Sequence, residues 1–259
     1  MNLGIAGKWA IVSGSSRGLG YACAESLARE GVNVVLNSRD QAACEEAARI
    51  LAETFGVNVV GVGADVTTPA GREALVDSCP TPDILVTNCG GPSPSAFVTT
   101  SAEAFQEAFE QNFHSAVGLI QLVLPGMQER KFGRIVNITS AMVKSPHPFM
   151  TLSIAARTAL TGVAKAVSKE VAADNVTINN LLPERIDTGR QRQMAELQVQ
   201  FRGITLEEAY AEMASTIAAK RLGRPEEVGD ACAFLCAAQS GFISGQNLHL
   251  DGGSYEGLI

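Results

Sequence analysis

Ser153 and Arg157 stand four residues apart in the stretch MTLSIAARTALTGVAKAVSKEVA, Met150 to Ala172. The stretch has the pattern of a helix, so one turn carries the hydroxyl and the guanidinium to the same face. Both groups donate hydrogen bonds. Neither relays protons well, because a serine hydroxyl is a very weak acid and a guanidinium stays protonated at ordinary pH. A second set of residues points to anion binding. SGSSRGLG, Ser13 to Gly20, follows one apolar run and opens an amphipathic one. Gly14 can form a tight turn, Gly18 lets a backbone approach a pyrophosphate, and Gly20 allows close helix–strand contact. The helix start adds free N–H groups and a partial positive charge. A glycine triplet alone is weak evidence. Between the first strand and first helix of a βαβ unit it is a dinucleotide fingerprint, and Ser16, Arg17 and Leu19 complete it as expected cofactor contacts.

The end of the second strand should meet the adenosine ribose. An acid there would bind the two ribose hydroxyls, but the sequence has NSRD. Arg39 can pair with a 2′-phosphate, and Ser38 and Arg17 can add to that site. Asp40 reads as the N-cap of the next helix. NADP(H) is the expected cofactor, with NAD(H) as the alternative.

These residues need a scaffold, and the chain spells one out. Strands are expected at WAIVSG, VNVVLNS, VNVVGVGAD, DILVTN, GRIVNIT, VTINNLL and NLHLD. Between them lie helical stretches at Leu19–Glu30, Gln41–Phe55, Thr68–Cys79, Ala102–Phe109, Gln111–Glu129 and Met150–Ala172. The strands are continuous apolar runs, as expected when both sheet faces are covered. Alternation of strand and helix implies right-handed crossovers. The expected architecture is α/β, a single-domain Rossmann-type doubly wound parallel sheet with helices on both faces, spanning residues 1–259. Residues 187–224 interrupt the alternation. Thr205 and Glu208 there have capping-box spacing, and Leu206, Tyr210, Met213 and Ile217 share a helical face. Such an insertion beyond a strand's carboxyl end reads as a substrate lid, with an oligomer contact or plain packing as the alternatives.

The bulk properties exclude other classes. With 259 residues and 46% hydrophobic content the chain can bury a large core. A net charge of −7 argues against nucleic-acid binding. No segment is long and apolar enough to span a membrane, and the start has no signal-peptide pattern. Six cysteines form no CxxC pair and read as buried thiols rather than a metal site, which fits a reducing cytoplasm.

The chain resembles the short-chain dehydrogenase/reductase family over nearly its whole length. The family's glycine motif matches at Gly14, Gly18 and Gly20. Its Asp–Val after the third strand matches Asp65 and Val66, and its Asn-Asn-Ala-Gly is here NCGG, a partial match at Asn88 and Gly90. Its mid-helix asparagine falls on Asn112 and its serine after the fifth strand on Ser140. GRPEEV (Gly223–Val228) and SGQNLHLDGG (Ser244–Gly253) also match. The likeness is strongest to members resembling 3-oxoacyl-acyl-carrier-protein reductases. It implies contacts of Pro183, Ile186 and Thr188 with the nicotinamide end of the cofactor. It also implies a small-molecule or acyl-thioester substrate. A homotetramer with the Gln111–Glu129 and Met150–Ala172 helices in one contact is the implied assembly.

The family's YxxxK pair belongs in the helix after Ser140. Aligned through RTALTG, the tyrosine position holds Ser153 and the lysine position Arg157. The expected catalytic set is therefore Ser140, Asn112, Ser153 and Arg157, with an altered proton donor. Lys144, His147 and Tyr210 are weighed as substitutes, against ordinary surface roles. The family's Pro-Gly is here Pro183–Glu184, which brings a bulkier, charged residue near the nicotinamide. Two functions are compatible with these residues: a carbonyl/alcohol oxidoreductase, or a cofactor-binding protein with little turnover that serves as a sensor or assembly subunit.

Overall fold

The computed structural model describes residues 2–258. Its strands are β1 (Trp9–Val12), β2 (Asn33–Ser38), β3 (Val59–Gly63), β4 (Pro82–Thr87), β5 (Gly133–Ile138), β6 (Val176–Pro183) and β7 (Asn247–Leu250). They form one sheet in the order β3-β2-β1-β4-β5-β6-β7. Every neighbouring pair is parallel. The order reverses between β1 and β4, which opens a crevice at their carboxyl ends.

Period-two alternation sorts the strand residues between two cores. Val34, Leu36, Ile84, Val86, Val136 and Ile138 pack on one face with α1 (Gly18–Arg29), α2 (Gln41–Phe55) and α9 (Pro225–Cys236). Ile11, Val35, Leu85, Ile135 and Ile178 pack on the other with α3 (Pro69–Asp77), α5 (Ser115–Glu129) and α6 (Thr151–Val171). The doubly wound expectation is therefore met. Cys23, Cys44, Cys79, Cys232 and Cys236 are buried thiols, as read from the sequence, whereas Cys89 is only half-buried. Burial pushes the Cys79 thiol up to about 11. Among the described residues no helix is long and apolar enough to cross a membrane.

Helix ends obey local chemistry. The Asp40 carboxylate accepts from Ala43 N at 3.1 Å and caps α2 as expected. α1 starts one residue earlier than its pattern suggests, because Gly18 takes the first helical position. α1 and α9 lie backbone against side chain: a Cβ on Gly229 would stand 2.3 Å from the Ala22 carbonyl oxygen. Ser26 and Arg29 of α1 both donate to Asp230 of α9.

The expected break between Phe109 and Gln111 is not a break. α4 (Ala102–Phe109) runs through a π-helical segment, Glu110–His114, directly into α5. One extra residue per turn rotates α5 relative to α4, and such segments recur at functional sites. In the interrupting segment, α7 (Gly189–Arg202) and α8 (Leu206–Ser215) bury Ala195, Ala209 and Met213 in a small core of their own. The Thr205–Glu208 capping box is present. Ile217 does not continue the α8 face. It lies beyond the helix end and is buried near Gly252.

Arg134 is buried at the start of β5. Its guanidinium donates to the carbonyls of Ala237, Gly133 and Asn175 and to Asn175 Oδ1, at 2.8–3.2 Å. Arg134→Met would remove four hydrogen bonds, although the Asn175 and Ala237 carbonyls keep the Gly133 and Ser240 N–H groups. The expected cost is about 1–3 kcal/mol, read as a lower urea midpoint with an unchanged m value.

Candidate active site

The glycine loop is clasped to the end of β4. Ser13 Oγ donates to Asn88 O and accepts from Asn88 N, both at 2.9 Å. Asn88 Nδ2 donates to Gly14 O at 2.8 Å. Ser15 Oγ receives Asn37 N at 2.9 Å, which ties the loop to β2 as well. The three glycines have three separate reasons. Gly14 sits at φ +57° with Asn88 O 2.7 Å from any added Cβ. A Cβ on Gly20 would meet Gly14 O at 2.4 Å. Gly18, at φ +64°, has nothing within 4 Å of that position, so the space in front of it is free for a phosphate. Arg17 is the N-cap of α1 and offers no side-chain cap, which leaves the first helical N–H groups for an anion. Ser16 is half-buried, Arg17 exposed, and Leu19 leans on the core. The loop thus fits a dinucleotide pyrophosphate.

At the adenosine end, Arg39 is exposed and forms no ion pair with a described carboxylate. It lies close enough to Asp65 to help hold that carboxyl below its usual range, after the larger effect of Thr67's backbone and hydroxyl donors. Val66 is buried behind it. Ser38 is committed to its own turn: its hydroxyl donates to Asp40 O at 3.0 Å and accepts from Asp40 N. Arg39 and the exposed Arg17 are therefore the groups left for a 2′-phosphate.

At the other end, Ser153 is buried in the first turn of α6. Arg157 Nη1 donates to its Oγ in a short contact, and Arg157 Nη2 reaches Cys89 O at 3.4 Å. The pair that the sequence places on one face is therefore in direct contact. Burial pushes the Arg157 guanidinium down to about 10; Cys89 opposes the shift and nearby Arg190 adds to it. Cys89 is itself raised, mainly by burial and in spite of Arg157.

Ser140 lies two residues beyond β5 and accepts Met142 N at 3.2 Å, so it caps local backbone. Its O–H remains a donor, and the capping and polarising roles coexist. Asn112 is buried in the π segment and donates to Ala108 O at 3.3 Å. Gly90, like Gly18, fronts open space. Pro183 closes β6. Ile186 is buried and paired with Gly223, and that pairing holds Arg185 at φ +49°. Glu184 is half-buried, with its N–H on Leu250 O. Thr188 is the N-cap of α7 but makes no side-chain cap.

The candidate substitutes are occupied elsewhere. His147 is exposed, with Nδ1 on Pro148 O. Lys144 lies 5.2 Å from the Tyr255 ring centre. The Tyr210 phenol is raised by burial first and also binds Asp187. Sequence reading missed Ser13, Cys89 and Arg190. Arg190 Nη2 donates to Pro92 O at 2.8 Å and so links α7 to the β4 loop. A basic residue in a helix's first turn runs against the dipole, and that signal was available in the sequence.

Residues 14–255 match a family described as enoyl-(acyl carrier protein) reductase. The 3-oxoacyl-[acyl-carrier-protein] reductase FabG of Vibrio cholerae is 32% identical over 257 residues, 98% of this chain and 99% of that protein. The chain belongs to the short-chain dehydrogenase/reductase family. A second family member, the NADPH-dependent reductase BacG of Bacillus subtilis, is 32% identical over 254 residues, 96% of this chain and 98% of that one. The fold is also that of L-sorbose reductase from Gluconobacter frateurii, solved with NADPH and L-sorbose. The TM-score is 0.95 at 33% identity, over all of both chains.

Arg157 is a desolvated cation beside a second cation, and its acceptors are neutral. Arg157→Met should therefore stabilise the ligand-free protein by about 1 kcal/mol. For a chain of this size that is a rise in Tm of about 2–4 °C, measured by calorimetry, with weaker cofactor binding in the same variant.

Proposed function

We propose that the protein is an NADP(H)-dependent oxidoreductase acting on a carbonyl/alcohol pair, with an altered proton donor. The observation that carries this reading is the open glycine loop, clasped to Asn88, with Arg39 unpaired at the end of β2. Gly14, Ser16, Arg17, Gly18, Leu19 and Gly20 would hold the pyrophosphate, and Arg39 the 2′-phosphate. Asp65 and Val66 would border the adenine. Asn88, Gly90, Arg157, Pro183, Ile186 and Thr188 would surround the nicotinamide half. When bound, NADPH supplies the hydride.

The chain's own residues then manage the substrate oxygen. Ser140 donates its free O–H toward the developing negative charge. Ser153 accepts from Arg157, so its own proton is turned away from the guanidinium and can also be donated. Arg157 supplies positive charge at neutral pH without releasing a proton. Asn112, in its π segment against α6, is a positioning residue. The lid reading of α7 and α8 belongs to this proposal, and the Arg190–Pro92 contact supports it. Substrates to screen are 3-oxoacyl thioesters, after the Vibrio relative, and ketoses, after the Gluconobacter one. An apolar hollow of about 120 Å³ on α5 and α6, lined by Ile120, Leu124, Val163 and Val167, supports assembly of a homotetramer through those helices.

The Ser153–Arg157 pair favours one second reading, a cofactor-binding protein with little turnover, because a positioned acid is worth about 10²–10⁴-fold in rate. NADPH titration followed by fluorescence tests the shared part. NADPH is expected to bind more tightly than NADH, and Arg39→Glu should reverse the order. No NADPH binding would refute both readings.

Oxidation of NADPH with carbonyl substrates separates them. In the double variant Ser153→Tyr with Arg157→Lys, the shorter lysine vacates space beside residue 153 for the phenol. A rise in rate of about 10²-fold or more is expected. A flat rate would mean that the cleft lacks more than its acid.

A further inference from the structure

Arg157 and Arg190 flank one dipeptide. A Cβ on Gly91 would stand 3.4 Å from Arg157 Nη1, and the next residue, Pro92, accepts the Arg190 hydrogen bond. Both guanidiniums bind neutral acceptors: Ser153 Oγ and the carbonyls of Cys89 and Pro92. Neither pairs with a carboxylate among the described residues. The contrast is local. Arg192, Arg202, Arg221 and Arg224, the other arginines of residues 187–224, each pair with a glutamate. Arg190 alone in that segment does not, and it stands in the first turn of α7, where no acid offsets the helix dipole. Two neighbouring cations without a counter-ion repel, and an anion placed between them removes that cost.

A cavity of about 410 Å³ reaches Pro92, the residue that Arg190 holds, with neither arginine on its wall. It shares Pro92 with the Arg190 contact and Leu152 with the turn that carries Ser153. Ser93, Ser95, Thr99, Thr100, Ser101 and Gln111 line it; the Ser95, Thr99, Thr100 and Ser101 hydroxyls bond within their own loop and keep lone pairs that can accept from a hydroxylated chain. Glu107 also lies on its wall, so a negatively charged group is directed away from that wall and toward the arginines.

We propose that Arg190, with the Arg157 charge behind it, seats a carboxylate of the substrate, which makes that substrate a short hydroxylated keto acid rather than an uncharged carbonyl compound. The inference rests on the oxidoreductase reading above and narrows it. The probes are 5-keto-D-gluconate and L-sorbose, which share a carbon skeleton and differ at one end, carboxylate against hydroxymethyl. With NADP⁺ saturating, thermal shift reads binding. With NADPH, loss of its absorbance reads turnover.

The acid should raise Tm more than the ketose does at equal concentration. Arg190→Gln should abolish that increment and lower the acid-to-ketose ratio of kcat/KM by about 10²-fold. Arg190→Lys, which keeps the charge, should restore part of it. Equal shifts for both probes in the unaltered protein, with NADPH still bound, would overturn the proposal and leave the reductase reading standing. A loss of NADPH affinity in Arg190→Gln as large as the loss for the acid would overturn it too, by giving the pair to the cofactor's phosphates. An acid-specific shift without turnover supports the seat while removing the reductase reading. Absence of NADPH binding would bring down both.

Discussion

The site hangs on the clasp between Ser13, Gly14 and Asn88. β1 and β4 stay paired as far as Ser13 N on Val86 O, but strand order reverses there and the sheet's own hydrogen bonding does not hold the loops beyond them together. Three hydrogen bonds do so here, two through the Ser13 hydroxyl and one from the Asn88 amide. They consume the polar groups that would otherwise need water. They also leave Gly18 facing open space at the start of α1. The same Asn88 leads directly into Cys89, Gly91 and Pro92, whose backbone receives both arginines. One clasp therefore sets the glycine loop and the Ser153–Arg157 end of the cleft at once.

The Ser153–Arg157 end of the cleft is electrostatically unlike the glycine-loop end. At the glycine loop, positive potential comes from backbone N–H groups that water can satisfy. At the other end it comes from two guanidiniums, one of them buried enough to bring its pKa down to about 10. A charge held this way is a standing cost, so the two ends of one cleft draw on different reserves of stability.

Much of this was legible in the sequence. All seven strands, the Asp40 cap and the Thr205–Glu208 capping box arise from local patterns that tertiary packing did not override. The Ser153–Arg157 contact comes from helical spacing alone. Other features were not legible, each for a physical reason. The π segment adds one residue to a turn and leaves the apolar periodicity on both sides almost intact, so Gln111 read as a helix start. Ser13 and Asn88 are 75 residues apart, and their pairing depends on strand order, which no local pattern encodes. The Cys89 carbonyl is a backbone atom, invisible to any reading of side-chain types. Ser38 seemed free for a phosphate because its turn, and hence its own hydrogen bonds, is a matter of backbone geometry.

The packing of α1 against α9 bears on the order in which the chain can be completed during synthesis. α1 lies within the first 29 residues, yet the helix that covers it, through Gly229, Asp230 and the buried face of α9, begins at Pro225. Arg134 likewise waits for the Ala237 carbonyl. A ribosome would have released most of the chain before either contact could form. The interval is long, because non-local contacts close only after the intervening loop entropy has been overcome. Through it, the side of the first βα unit that α9 covers stays exposed, an aggregation-prone surface until the last seventh of the chain emerges.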